Sequence, residues 1–139
     1  NLPLRKDIMA RYQAFVQQFP QPPSFQVVPL FHGSKPENIR KIAETGFAAL
    51  QSTDDGFFGK GMYFTSSLDY AVQVYSRTSL TVLICWVSTQ NIYPVVKEDM
   101  PKLVGKPNYK NYDTHFVPVT SANPHDPTST VYVPSQKVN

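Results

Sequence analysis

The sequence contains one cysteine, Cys85, so no internal disulfide can form. That suits a reducing compartment, and a cytoplasmic or nuclear setting is the expectation. Glycine is also scarce, six residues against thirteen prolines, which points to a loop-rich, mixed architecture rather than a helical bundle. Charged residues make up only 17% and the net charge is +3, with lysines and arginines scattered along the chain. No basic footprint for nucleic acid results. The longest largely apolar run, Leu80 to Val87, is far too short to cross a bilayer. No secretory signal pattern opens the sequence.

What is present is an ordinary globular balance. The 139 residues, 41% of them apolar, suffice for one domain with a core. Leu4, Ile8, Tyr12, Phe15 and Phe19 lie at spacings of four, four, three and four, which predicts a helix over about 4–19. Pro20, Pro22 and Pro23 end it. Residues 25–31 (FQVVPLF) read as an edge or bulged strand because Pro29 interrupts them. Residues 36–45 read as a short helix between Pro36 and Gly46. A polar, glycine-punctuated loop (51–61) leads to a short strand (62–65) and a helix (66–75). Residues 80–87 (LTVLICWV) read as a buried central strand. Later strands are expected near 91–96, 115–119 and 129–133. The mixture is α+β.

Several chemistries fail on spacing. The glycines of "GFFGKG" do not match a dinucleotide fingerprint, and Lys60 is followed by glycine where a P-loop has Ser or Thr. The three histidines lack metal-ligand spacing. Cys85 sits within an apolar strand and reads as a core thiol rather than a nucleophile. One combination remains. His32-Gly33-Ser34 follows a strand, Tyr63 follows the glycine loop, and Tyr75 closes a helix. Two tyrosine faces with a His-Gly backbone at their edge suit a flat polar ligand. Read singly, Tyr63 is more often a core aromatic, Tyr75 equally a packing residue, and His32 at least as often a satisfied structural histidine.

Taken together, "FHGS", Asn38, "GF" at the next helix end, "FGKGMYF", the Tyr75-Ser76 pair, "LTVLICWV", "NYDTHF" and "VYVPSQ" resemble one family. It is the poly(ADP-ribose) polymerase family of diphtheria-toxin-like ADP-ribosyltransferases. The resemblance implies two packed, mostly antiparallel sheets around an NAD cleft with flanking helices. Residues 1–139 would form a single catalytic-type domain, with a family-like core over about 25–136. It implies NAD as co-substrate, no metal, and a protein acceptor. The expected form is a monomeric domain of a larger protein, without nucleic acid or membrane as partner. His32 would bond the adenosine ribose, with Ser34 and Asn38 on the same side. Gly33 would grip the nicotinamide amide through its backbone, and Tyr63 and Tyr75 would sandwich the ring. Phe58, Phe64 and Ala71 also fall at NAD-binding positions.

Two departures stand out. The family's third signature residue is a glutamate eight positions before the glutamine of the last motif. Counting back from Gln136 reaches Thr128, and aligning on Pro127 gives Ser129. No glutamate follows Glu98. The catalytic set implied is therefore His32, Tyr63 and Thr128, which argues against polymer formation. Ala71 stands where the family usually has a carboxamide-binding serine. Mono-ADP-ribosyl transfer from NAD to a protein side chain is one reading. A degenerate transferase fold that serves as an NAD-binding or protein-interaction module is the other.

Overall fold

A computed structural model of the protein describes residues 2–21, 26–47, 56–76, 80–121 and 132–134, the last three as backbone only. The described strands and helices give an α+β architecture, as the sequence suggests. The chain divides into two compact units, residues 1–28, 54–61 and 88–139 in one, and 29–53 and 62–87 in the other.

The first unit is built on α1 (Leu2–Val16), which buries Ile8, Tyr12 and Val16. Spaced four apart, these lie on one face, while Phe15 and Phe19 of the expected stripe are only half-buried. Helical bonding tapers after Val16, and the Gln21 side chain takes over. Its amide donates to the carbonyls of Val16, which also accepts the Phe19 N–H, and of Phe19, each at 3.1 Å. The same side chain bonds both backbone groups of Val27, so it clips the helix end to the following strand.

Two short strands of this unit, β3 (Ile92–Pro94) and β4 (Thr114–Phe116), run parallel with Tyr93 opposite His115. Between them lie a 3₁₀ turn (Lys97–Asp99) and α4 (Met100–Leu103). Two further strands, β5 (Val119–Ser121) and β6 (Tyr132–Pro134), pair antiparallel. Val28, Ile92, Val95, Val96 and Leu103 are also buried in this unit, and β3 is in contact with α1. Arg5 reaches Asp99 at 3.0 Å, donates to the Pro94 carbonyl and lies 4.7 Å over the Tyr93 ring. Burial and the Asp99 carboxylate push the Tyr93 hydroxyl up, against the opposing pull of Arg5.

The second unit holds α2 (Pro36–Thr45), which matches its expected limits and ends at Gly46 with φ 76°. Ile39 and Ile42 form its buried stripe. Strands β1 (Gln26–Gly33) and β2 (Val82–Thr89) pair with each other, and each contributes residues to both units. The expected buried central strand over 80–87 is corrected here. Ile84 and Trp86 are each 70% exposed, while alternate residues turn inward. An apolar run carries no mark of how many faces are covered, and here the strand's only neighbour among the described residues is β1. Burial pushes the Cys85 thiol up, which disfavours the reactive thiolate. The strand expected at 62–65 reduces to one antiparallel bridge, Phe31 to Thr65. The helix expected at 66–75 begins later, as α3 (Leu68–Tyr70), and continues as a π-turn over Ala71–Tyr75.

Candidate functional site

The candidate site is assembled within the second unit. Strand β1 runs out through Phe31, His32 and Gly33, and its end is tied down on one side by the Phe31–Thr65 bridge, at 2.8 and 3.0 Å. That pairing brings the Tyr63 carbonyl to 2.8 Å from His32 Nδ1. A carbonyl only accepts, so Nδ1 carries the proton and Nε2 of the neutral ring keeps its lone pair. No hydrogen bond to Nε2 is made among the described residues. The imidazole is also boxed by rings, Phe47 at 5.0 Å and 88° and Phe64 at 5.6 Å and 55°.

Gly33 is buried, and the reason for glycine is steric. A Cβ here would fall 2.6 Å from the Ala71 carbonyl oxygen, 2.8 Å from Tyr75 Cβ and 3.1 Å from Ser76 Oγ. Only a residue without a side chain lets the strand end approach the π-turn so closely. The turn itself starts from a capped helix, in which Ser67 Oγ accepts from the Tyr70 N–H at 3.2 Å. Its wide bond runs from the Ser76 N–H to the Ala71 carbonyl at 3.1 Å. Such π-turns occur often at functional sites.

Buried Ser76 is a junction. Its hydroxyl reaches the Thr81 carbonyl at 2.5 Å and the Ser34 carbonyl at 3.4 Å, so the shorter contact holds its single proton. It thus links the π-turn to the approach of β2 and to the start of the α2 connection. Asn38 on α2 donates to Ser34 Oγ at 3.2 Å. Tyr75, 39% exposed, meets the Tyr70 ring edge-on at 5.7 Å. Ala71 is fully buried with no exposure and offers no hydroxyl.

His32, Gly33, Ser34, Asn38, Tyr63, Phe64, Ala71 and Tyr75 therefore all fall in one unit. Phe58 belongs to the other unit, where its carbonyl faces His115 Nδ1 at 3.3 Å and its ring meets Phe57. Thr128 and Ser129 lie outside the described residues, as do 51–55 of the glycine-punctuated loop. Sequence reasoning did not single out Phe47 or Tyr70. Phe47 was visible as the second residue of "GF" after α2, but its contact with His32 arises only on folding.

Comparison with known families matches residues 5–138 to the model described as the poly(ADP-ribose) polymerase catalytic domain. The comparisons with curated proteins and with solved structures give no match.

Proposed function

From the premise that this chain belongs to the poly(ADP-ribose) polymerase catalytic-domain family, we propose that it transfers a single ADP-ribose from NAD to a protein side chain. The general activity of that family is ADP-ribosyl transfer with NAD as co-substrate. The observation that supports placing NAD here is the state of His32. One ring nitrogen is held by the Tyr63 carbonyl, and the other is left as an acceptor. An acceptor nitrogen in a fixed place fits a ribose hydroxyl, which donates.

The residues present fit such a ligand. Ser34 and Asn38, already bonded to each other, are the polar groups beside His32 on the ribose side. The Gly33 peptide groups are proposed to take the nicotinamide amide, and the rings of Tyr63 and Tyr75 its two faces. NAD supplies an N-glycosidic bond to a positively charged leaving group. The chain's part is to orient that bond and exclude water around it. With no glutamate after Glu98, chain elongation lacks its usual carboxylate, and the acceptor's own carboxyl is proposed to assist a single transfer. The lone cysteine supports a cytoplasmic or nuclear setting for this reaction.

One observation favours a second reading. Ala71 brings no hydroxyl, and its carbonyl lies against Gly33, where relatives usually place a carboxamide-binding serine. A non-catalytic NAD-binding or protein-interaction module would tolerate that loss. Labelled NAD, added to the protein alone and with cell lysate, separates the two. Single-size labelling that is lost in His32→Ala supports mono-transfer. A folded protein that neither labels protein nor releases nicotinamide supports the module.

A further inference from the structure

We infer that Phe47 is a positioning residue for His32, fixing with Phe64 which imidazole nitrogen is presented to a ligand. The inference rests on the NAD reading above and deepens it. It begins with a geometric need. An imidazole can rotate about its Cβ–Cγ bond, and a half-turn would exchange the sides to which its two nitrogens point. The Tyr63 carbonyl holds Nδ1 at 2.8 Å, but one hydrogen bond leaves the tilt of the ring plane loosely set.

The ring contacts supply the rest. Phe47 stands perpendicular to the imidazole, 88° at 5.0 Å, and Phe64 leans on it at 55° and 5.6 Å. Phe47 and Phe64 also meet each other at 5.4 Å and 68°. Three mutually packed rings leave the imidazole one plane. The perpendicular Phe47 contact is of the edge-to-face kind that ring quadrupoles favour. Phe47 is delivered by local grammar. Gly46 ends α2 with φ 76°, a left-handed value, and turns the chain so that the next residue folds back on the strand end. The helix stop and the histidine box are thus consecutive residues. Phe64 comes from the other side, next to the residue whose carbonyl holds Nδ1.

The test uses the full chain labelled with ¹⁵N-histidine, its His32 signals assigned by comparison with His32→Ala. Long-range proton–nitrogen correlation reports the tautomer without any ligand. The parent protein is expected to show one Nδ1–H tautomer at His32. Phe47→Leu keeps an apolar side chain but removes the ring, and is expected to average the two tautomers. In NAD kinetics the same variant should raise KM roughly tenfold, from the lost ring contacts, with kcat within about twofold. Phe47→Tyr, which keeps the ring, should restore both. Should Phe47→Leu fail to fold, Phe64→Leu carries the same expectation. A pure Nδ1–H tautomer and an unchanged KM in the folded variant would overturn the inference. The tautomer is read without NAD. A parent protein that handles no NAD therefore overturns the transferase reading, and the positioning of His32 is then decided by the nitrogen signals alone.

Discussion

His32 and His115 make an instructive pair. Each gives its Nδ1 to a backbone carbonyl, Tyr63 at 2.8 Å and Phe58 at 3.3 Å. Each is flanked by two rings, Phe47 and Phe64 in one unit, Tyr93 and Tyr109 in the other. They differ at the second nitrogen. His115 Nε2 accepts the Tyr109 N–H at 3.3 Å, whereas His32 Nε2 has no hydrogen bond among the described residues. A histidine with both nitrogens matched is a cross-link that stitches a loop to a strand. One held at a single nitrogen keeps its other nitrogen available, which is the feature the proposed NAD site uses. The surroundings agree, since Arg5, Asp99 and Tyr93 near His115 are mutually bonded.

If that contrast is right, changes around His115 act on stability and changes at His32 act on NAD. The largest effect is expected from Arg5→Ala. It leaves the Asp99 carboxylate, whose side chain is 6% exposed, without its cation, and should lower unfolding free energy by about 3 kcal/mol in urea titrations. His32→Ala is expected to cut kcat/KM for NAD by roughly a hundredfold, about 2.7 kcal/mol, while the stranded Tyr63 carbonyl lowers stability by only about 1 kcal/mol. A destabilised but active His32 variant would break the contrast outright.

Gly33→Ala forces a methyl against backbone atoms at 2.6 Å, so a loss of about 2 kcal/mol in stability is expected, and NAD binding should fall with it. His115→Ala strands the Tyr109 N–H and the Phe58 carbonyl. Part-buried groups of this kind cost about 1 kcal/mol, readable as a lower urea midpoint. An equally stable His115 variant would remove the cross-link reading.

The smallest effect concerns Asp113, which accepts from the Gln90 and Asn91 N–H groups and from Thr114. Burial alone would push its carboxyl up, but the Asn91, Thr114 and Gln90 hydrogen bonds outweigh that and hold it low. A carboxyl lower in the folded state than in the unfolded one favours folding above its unfolded pKa. That contribution is lost as pH falls through the folded value. Asp113→Asn should therefore flatten the acid side of the stability-versus-pH curve, measured by urea midpoints from about pH 2 to 6.

Much of the local structure was legible. The α2 limits follow from Pro36 and Gly46, and Ile8 and Tyr12 of the α1 face from their spacing, whereas the helix ends at Val16 rather than 19 and buries Val16 in place of Phe15. The order of the motifs around His32, Tyr63 and Tyr75 singled out residues that fall together in one unit. The exposed face of β2 was not, because Ile84 and Trp86 are as apolar as their inward neighbours. Neither was the break of the 66–75 helix into a π-turn, since one extra residue in a turn leaves no compositional trace.

The sequence by itself determined that a glycine follows His32 and which family's motifs the chain carries in order, but not where strand β1 stops, which is Gly33 and not Phe31. Tertiary structure decided what the histidine can do. Its tautomer depends on a backbone carbonyl 31 residues away, and its plane on two rings from separate segments. Every residue but one type has the same peptide groups, and a phenylalanine's neighbours are set by the fold. Such determinants come into being only when distant segments meet.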